Sequence, residues 1–273
     1  MIAYNLDYFK PETTEEAYEC MKTLKEDKVN ALYYSGGTEV ITNLRKGASK
    51  ADAVIDLKGI VEMSEILVED EYIVVGANVP LNVMIEHPEL ESVMPILNKI
   101  ADHTVRNALT IGGNICGKLP FREAVLPLLA LNSSIKWVDE SGIKESLLRD
   151  VFDKRLKLPP NAFLYQIMIP RNAGGQMISK RMEAHTEVDY PILHVVMNIS
   201  DTEVFVGLSG FSSFPVYQLI PRNVYDEWSD PVGSIAGLFE KDAKSDERAS
   251  KEYRVHLLKN QIALFTGGAY DSL

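Results

Sequence analysis

The spacing of apolar residues predicts a helix near the start of the chain. Thr13 and Glu16 have the spacing of a capping box, in which two side chains satisfy backbone amides at a helix N-terminus. The apolar side chains that follow share one helical face: Ala17, Cys20, Met21 and Leu24. We therefore expect a helix after Thr13, with Cys20 in the core.

Short apolar runs that end at glycine, proline or acidic residues predict strands. Single strands are expected at 31–34, 54–57 and 163–169, and hairpins over 65–76, 134–147 and 195–210. Helical character is found at 80–86, 92–103, 121–131, 232–239 and 250–265. Strands interleaved with helices indicate an α+β or mixed α/β fold. The glycine-rich stretch 172–175 is the best candidate for a domain boundary, and a smaller strand-then-helix domain follows it.

Two segments with paired glycines are candidates for binding an anion. The first glycine segment follows a predicted strand and consists of Ser35, Gly36, Gly37 and Thr38. The second glycine segment has the same design and consists of Thr110, Ile111, Gly112, Gly113 and Asn114. Without a Cβ atom, backbone amides can approach a phosphate closely, and the hydroxyl groups add donors. One such pair is equally well explained as an ordinary turn, so the signal lies in the two segments together.

Neither segment has the spacing of a familiar nucleotide-binding motif. The dinucleotide fingerprint G-x-G-x-x-G and the Walker sequence G-x-x-x-x-G-K-[ST] are both missing from these stretches. The sequence therefore gives no support to a Rossmann dehydrogenase or a nucleoside triphosphatase.

The composition argues against several classes of function. The chain has 273 residues, with 28 Lys+Arg against 39 Asp+Glu and a formal net charge of −11. This charge argues against binding to nucleic acid or to an anionic membrane surface, because both require basic patches. Two cysteines and five scattered histidines give no disulfide framework and no recognisable metal site. Since we see no secretory signal and no apolar run of about 20 residues, we expect a cytoplasmic protein.

Six motifs resemble one known family, in order along the chain. Residues 35–39 resemble A-G-G-T-D, and residues 105–115 are similar to the more specific signature I-R-N-x-G-T-I-G-G-N. The others are 54–57 (L-I-D-L), 75–77 (I-G-A), 127–131 (P-A-L-L-A-L) and 245–254 (S-D-x-R-x-S-x-x-Y-R). The chain is thereby identified as resembling the FAD-binding medium subunits of molybdenum hydroxylases, the family of xanthine dehydrogenase and carbon monoxide dehydrogenase.

The resemblance implies both a fold and a place in an electron-transfer chain. The implied fold is α+β: a two-part FAD-binding domain of the PCMH (vanillyl-alcohol-oxidase-like) type over 1–172, then a small α+β C-terminal domain of the carbon monoxide dehydrogenase flavoprotein type over 173–273. A large molybdopterin-binding subunit would oxidise the substrate. Electrons would pass through a small two-iron, two-sulfur (2Fe-2S) subunit to the FAD of this oxidoreductase subunit, and on to NAD or another acceptor.

The resemblance also implies which residues bind FAD. The two glycine segments, together with Glu39, would bind the pyrophosphate. No catalytic acid, base or nucleophile is required of this chain, because the cofactor itself accepts and donates the electrons.

Three further positions are implied by the resemblance, and each has an equally plausible structural explanation. Glu123 would hold the ribose or adenosine end of FAD, or it is an acid in the first turn of a helix. Lys180 would lie near the flavin, or it is a solvated lysine at a strand end; its surroundings, 182–185, match the family poorly. Ile169 would pack on the flavin ring, or it belongs to an apolar strand core. Cys116 is expected to be a small buried residue rather than a redox thiol.

Two alternative functions remain open at this point. One is a stand-alone FAD oxidoreductase of the same flavin fold, which would need its own substrate-binding base or a covalent flavin link. The other is a flavin-free scaffold that keeps only the fold. Leu119 stands where the family has a serine, which slightly favours the scaffold.

Overall fold

The protein is described by a computed structural model that covers residue 2 and residues 4–90, 94–184 and 189–267. The chain divides into two compact units. The first unit contains the residues up to Gly117 and Asn132–Arg171. The second unit contains Lys118–Leu131 and the described residues from Asn172 onward. One short segment from the middle of the chain thus packs with the C-terminal part.

The strands and helices follow one another in mixed order along the chain. The strands are β1 (Asp7–Phe9), β2 (Ala31–Tyr34), β3 (Ala53–Asp56), β4 (Ile66–Val68), β5 (Tyr72–Gly76), β6 (Ser134–Asp139), β7 (Gly142–Leu147), β8 (Phe152–Asp153), β9 (Arg155–Leu156), β10 (Phe163–Pro170), β11 (Gln176–Glu183), β12 (Pro191–Ile199), β13 (Glu203–Ser209) and β14 (Val216–Pro221). The helices are α1 (Thr14–Glu26), α2 (Thr38–Lys46), α3 (Leu81–Ile85), α4 (Met94–Leu97), α5 (His103–Arg106), α6 (Ile111–Cys116), α7 (Val125–Ala130), α8 (Leu148–Val151), α9 (Arg222–Asp226), α10 (Pro231–Phe239) and α11 (Lys251–Phe265).

The first unit contains a small parallel sheet that carries the first glycine segment. Its strand order is β1-β3-β2, and both pairings are parallel. At the carboxyl end of the sheet, Tyr34 of β2 pairs with Asp56 of β3. Helix α2 begins only four residues after β2, so the first glycine segment lies at this carboxyl edge, where open parallel sheets bind ligands.

The first unit also contains a five-stranded antiparallel sheet. Its order is β4-β5-β10-β6-β7, with β10 at the centre. Every residue from Phe163 to Ile169 is buried, as the continuous apolar run requires of a central strand. Pro170, which lacks an amide donor, is the last residue of the strand.

The second unit is a four-stranded antiparallel sheet with a different layer on each face. Its order is β11-β12-β13-β14. Alternate residues of β12 and β13 join one apolar cluster with α10 and α11, and the cluster includes Val195, Val206, Phe239 and Leu258. The residues between them face α7: the Asn198 side chain donates to the Ala130 carbonyl at 3.2 Å.

Most of the elements predicted from the sequence are confirmed. The Thr13 hydroxyl accepts from the Glu16 amide at 3.2 Å, as the capping box requires, and Ser250 caps α11 in the same way. The three hairpins form with the expected pairing. The mixture of layers described above confirms the α+β class.

Two predicted helices differ in extent from the structure, and the predicted burial of the two cysteines is wrong. The expected helix over 92–103 is not continuous: residues 92–93 lie outside the described residues, α4 ends at Leu97, and α5 begins at His103. The expected helix over 121–131 begins only at Val125. Cys116 is exposed rather than buried, and Cys20 is only half-buried.

Candidate functional site

The first glycine segment is a tight connection that only glycine can make. Gly37 is the N-cap of α2 and has φ 74°, the left-handed conformation that glycine adopts without strain. A Cβ atom on Gly37 would lie 2.4 Å from the ring of Tyr34. A Cβ atom on Gly36 would lie 1.7 Å from the carbonyl oxygen of Ala108.

The close approach at Gly36 brings the two glycine segments together within the first unit. Ala108 lies two residues before the second glycine segment, and the Ser35 and Thr110 hydroxyl oxygens are 3.0 Å apart. The structure therefore places the two predicted segments side by side.

The amides of the first glycine segment have no protein acceptor. In the described part of the chain, no acceptor is hydrogen-bonded to the backbone N–H of Gly36, Gly37 or Thr38. These amides lie at the N-terminus of a nine-residue helix, α2, where the helix dipole favours negative charge. The segment is half-buried, its amide donors are unpaired among the described residues, and two hydroxyl groups lie next to it. These properties fit a diphosphate as the ligand.

The second glycine segment differs from its predicted form, because it is the first turn of α6 rather than a loop. Thr110 is the N-cap of this helix. Each of the next four amides already has an acceptor: Ile111 on Val79 O (3.0 Å), Gly112 on Ala77 O (2.9 Å), Gly113 on Thr110 Oγ1 (3.1 Å) and Asn114 on Thr110 O (2.9 Å). Gly112 packs so tightly that a Cβ atom would lie 2.6 Å from the Ala77 carbonyl. This segment therefore contributes close packing, because its backbone amides already donate hydrogen bonds to acceptors within the protein.

Lys58, Asp56, Tyr34 and Tyr8 form a cluster next to the first glycine segment that was not predicted from the sequence. Lys58 Nζ donates to the Ser35 carbonyl at 2.8 Å and to Asp56 Oδ1 at 2.7 Å. It also lies 4.0 Å from the centroid of the Tyr34 ring. The Tyr8 hydroxyl donates to the other carboxylate oxygen, Asp56 Oδ2, at 2.5 Å. The sequence feature that could have revealed this cluster is Asp56, a charged residue in the otherwise apolar run 54–57.

The pKa shifts of this cluster show that its charges are paired. Burial acts to raise the pKa of Asp56, but hydrogen bonds from Lys58 and Tyr8 outweigh it and hold the pKa below its ordinary value. The hydrogen bond to Asp56 raises the pKa of Tyr8 to about 12. Asp56 is therefore a carboxylate and Tyr8 a neutral hydroxyl at neutral pH.

Glu123 requires a correction, because its carboxylate is buried and fully engaged within the second unit. Arg181 donates from Nε to Oε1 at 2.7 Å and from Nη2 to Oε2 at 3.3 Å. Nδ1 of His194 lies 2.7 Å from the same Oε1. The side chains of Glu123 and Arg181 are 3% and 5% exposed. The carboxylate is thus buried on its protein partners rather than presented to ribose hydroxyls, and Glu123 precedes α7 rather than lying in its first turn.

The other two predicted positions belong to different sheets from the one that carries the first glycine segment. Ile169 pairs with Ile73 in the five-stranded sheet and is 1% exposed, which favours the strand-core explanation. Lys180 is an exposed residue of β11 in the second unit, paired with Val195. His185, in the stretch that matches the family poorly, lies outside the described residues.

Two properties of the described residues bear on other kinds of site. His, Cys, Asp and Glu side chains there nowhere form a group of three that could hold a metal ion. Across the same residues, no helix combines the length and apolar character needed to cross a bilayer.

Comparison with curated proteins finds relatives that are subunits of dehydrogenases. The chain is 27% identical over 176 residues to the nicotinate dehydrogenase FAD-subunit of Eubacterium barkeri, covering 61% of this chain and 59% of that one. It is 25% identical over 176 residues to the carbon monoxide dehydrogenase medium chain of Afipia carboxidovorans, covering 62% and 60%. The chain thus spans about three fifths of the length of these relatives. A longer match, 23% identical over 268 residues, covers 92% of this chain and 94% of the glyceraldehyde dehydrogenase medium chain of Sulfolobus acidocaldarius.

Comparison with solved structures supports the fold over almost the whole chain. Quinoline 2-oxidoreductase from Pseudomonas putida 86 has a TM-score of 0.80 at 19% identity, with 99% of this chain and 100% of that chain covered. Carbon monoxide dehydrogenase from Hydrogenophaga pseudoflava has a TM-score of 0.82 at 20% identity, with 96% of both chains covered. The expected fold class is confirmed by these similarities.

A family comparison covers more than half of the chain. Residues 3–172 match the FAD binding domain in molybdopterin dehydrogenase. This match confirms the resemblance drawn from the motifs, and with it the FAD-binding domain. The chain belongs to the family of FAD-binding domains of molybdopterin dehydrogenases.

Proposed function

We propose that this chain is the FAD-binding electron-transfer subunit of a molybdenum hydroxylase complex. The observation that carries the proposal is the row of amides at Gly36, Gly37 and Thr38, which have no acceptor among the residues that the structure describes, in a chain of an FAD-binding family. These donors match the diphosphate of FAD in chemistry and in position at the start of α2.

The residues of the chain bind and orient the cofactor. The amides of Gly36 and Gly37 and the hydroxyls of Ser35 and Thr38 donate hydrogen bonds to the diphosphate. The second glycine segment and Glu39 are proposed to shape the site rather than to donate amides to the cofactor, with Gly112 allowing the close approach to Ala77 that fixes α6. When bound, FAD supplies the capacity to accept electrons and to pass them on as a hydride or singly.

Ile169 and Lys180 remain proposals as flavin-contacting residues. Glu123 is withdrawn from the ribose-binding set because Arg181 and His194 already occupy its carboxylate. We retain the division into an FAD-binding domain, 1–172, and a C-terminal domain, 173–273, with the qualification that 118–131 packs with the second unit.

The partners are proposed from the relatives. Names such as "FAD-subunit" and "medium chain" belong to proteins that work with other chains. We propose a large molybdopterin-binding partner and a small 2Fe-2S partner, with NAD or another acceptor receiving the electrons, and a cytoplasmic location.

Reconstitution of the purified chain with FAD tests the proposal. We expect a bound flavin with its visible absorption bands, retained on desalting, at micromolar FAD. Co-expression with neighbouring genes should yield a complex that contains molybdopterin and 2Fe-2S centres. A chain that binds no FAD would contradict the proposed function, and a chain that binds FAD and oxidises a substrate alone would indicate a stand-alone enzyme.

A further inference from the structure

Lys58 contacts the first residue of the first glycine segment and the tyrosine that precedes it. Its ammonium group donates to the carbonyl of Ser35 and lies over the ring of Tyr34, and that ring is the group a Cβ atom on Gly37 would strike. One side chain therefore contacts the groups that fix the path of the backbone on either side of Gly36.

Holding the Ser35 carbonyl also sets the direction of an amide. The peptide unit is planar and trans, so the carbonyl oxygen of Ser35 and the N–H of Gly36 point to opposite sides. With the carbonyl fixed on Lys58 at 2.8 Å, the Gly36 N–H must point away from Lys58. This is one of the three amides without a protein acceptor.

Lys58 is itself held in place by the strands of the parallel sheet. Asp56, at the end of β3, accepts from Lys58 Nζ at 2.7 Å and from the Lys58 amide at 3.0 Å. Tyr8 of β1 fixes the other oxygen of Asp56. The chain of contacts runs from β1 through β3 to the end of β2, so the position of Lys58 is set by the fold.

The pairing with Asp56 also decides how Lys58 acts. The Asp56 side chain is 5% exposed and the Lys58 side chain 41% exposed, and the two charges nearly cancel at a distance. A net attraction for anions is therefore small. Orientation of the Ser35–Gly36 peptide is the larger contribution, because it places a donor before the ligand arrives.

We propose that Lys58 is a positioning residue for the diphosphate of the flavin cofactor, acting through the Ser35 carbonyl to preset the Gly36 amide. The inference rests on the proposed function. Lys58 would thereby favour FAD over flavins that lack a diphosphate, because only a diphosphate accepts a hydrogen bond from the preset Gly36 amide.

The test compares FAD and riboflavin binding to the full chain, measured by flavin fluorescence. In Lys58→Met we expect FAD affinity to fall about tenfold while riboflavin affinity changes less than about twofold. Lys58→Arg keeps donors to both Ser35 and Asp56 and should restore FAD affinity to within about threefold of the wild type. The matched control is Lys157→Met, which breaks an exposed pair with Asp153 (2.6 Å) in the same unit and should leave both affinities unchanged.

Each outcome of this experiment is informative. Equal losses for FAD and riboflavin in Lys58→Met, or no loss at all, would overturn the proposal while leaving the proposed function in place. A wild-type chain that binds no FAD overturns the proposed function itself. Circular dichroism checks folding. If Lys58→Met does not fold, Lys58→Gln takes its place, with the same selective loss of FAD affinity expected and the same equal loss contradicting it.

Discussion

The two glycine segments of the first unit look alike in sequence and differ in how they use their backbone amides. In the first, the amides of Gly36, Gly37 and Thr38 have no acceptor among the described residues. In the second, the amides from Ile111 to Asn114 are all bonded to the protein. The same pattern of paired glycines and hydroxyl side chains therefore supports two different roles.

The neighbouring residues explain the difference. Thr110 provides a side-chain cap for α6, and the carbonyls of Ala77 and Val79 accept its first two amides. Gly37 caps α2 without a side-chain hydrogen bond, and among the described residues no carbonyl accepts the amides of Gly36, Gly37 or Thr38. A donor left unsatisfied by the fold is available to a ligand, whereas a satisfied donor stabilises the fold.

The largest effect is expected from Gly36→Val. The added Cβ atom would lie 1.7 Å from the Ala108 carbonyl, so the first glycine segment must move away from the second. We expect FAD affinity to fall about hundredfold or more, with a loss of stability of about 1–3 kcal/mol. Isothermal titration and urea unfolding measure the two effects. Gly174→Ala, whose added Cβ atom would meet nothing within 4 Å, is the control and should change neither.

Glu123→Ala extends the comparison to a carboxylate whose hydrogen bonds are already made within the protein. Removing the carboxylate leaves Arg181 buried without its main partner, so we expect a loss of about 3–5 kcal/mol in the free energy of unfolding. FAD affinity of the folded protein should remain within about threefold of wild type. The control Glu89→Ala, which breaks an exposed pair with Arg171 at 3.0 Å, should cost less than about 1 kcal/mol. A selective loss of FAD affinity in Glu123→Ala would restore the ribose-binding role.

The pH dependence of stability tests the same carboxylate in another way. Burial acts to raise the pKa of Glu123, but hydrogen bonds and charges from His194 and Arg181 outweigh it and lower the pKa. The stabilisation is therefore full above the ordinary glutamate pKa of about 4.3, and is lost as the pH falls through the lower folded-state value. Urea unfolding of the wild type between neutral and acidic pH should show this loss, and Glu123→Gln should lose stability less steeply. Identical slopes for the two proteins would contradict the assignment.

A smaller effect is expected from Thr110→Val, which removes the cap of α6 while keeping the side-chain volume. The Gly113 amide then loses its acceptor, and we expect a loss of about 0.5–2 kcal/mol in stability. FAD affinity should change less than about threefold. Thr13→Val removes the equivalent cap of α1 and should produce a similar loss of stability. A tenfold loss of FAD affinity in Thr110→Val alone would mean that the second glycine segment binds the cofactor directly.

The sequence predicted the elements and the family better than it predicted the roles of individual side chains. A continuous apolar run located β10, and the apolar face after Thr13 located α1, because these patterns depend on burial alone. Such patterns could not show that the amides of Ile111 and Gly112 are satisfied, since their acceptors, the carbonyls of Val79 and Ala77, come from residues far earlier in the chain. For the same reason Glu123 was assigned to the ligand, although its partners Arg181 and His194 lie on strands of the second unit.

Amide hydrogen exchange, resolved by NMR on the full chain with and without FAD, tests the central claim most directly. The amides of Gly36, Gly37 and Thr38 should exchange rapidly without FAD and become protected when FAD binds. Those of Ile111, Gly112 and Gly113 should be protected in both states, because their acceptors belong to the protein. The account would be contradicted if the second segment gained the protection and the first exchanged at the same rate with and without FAD.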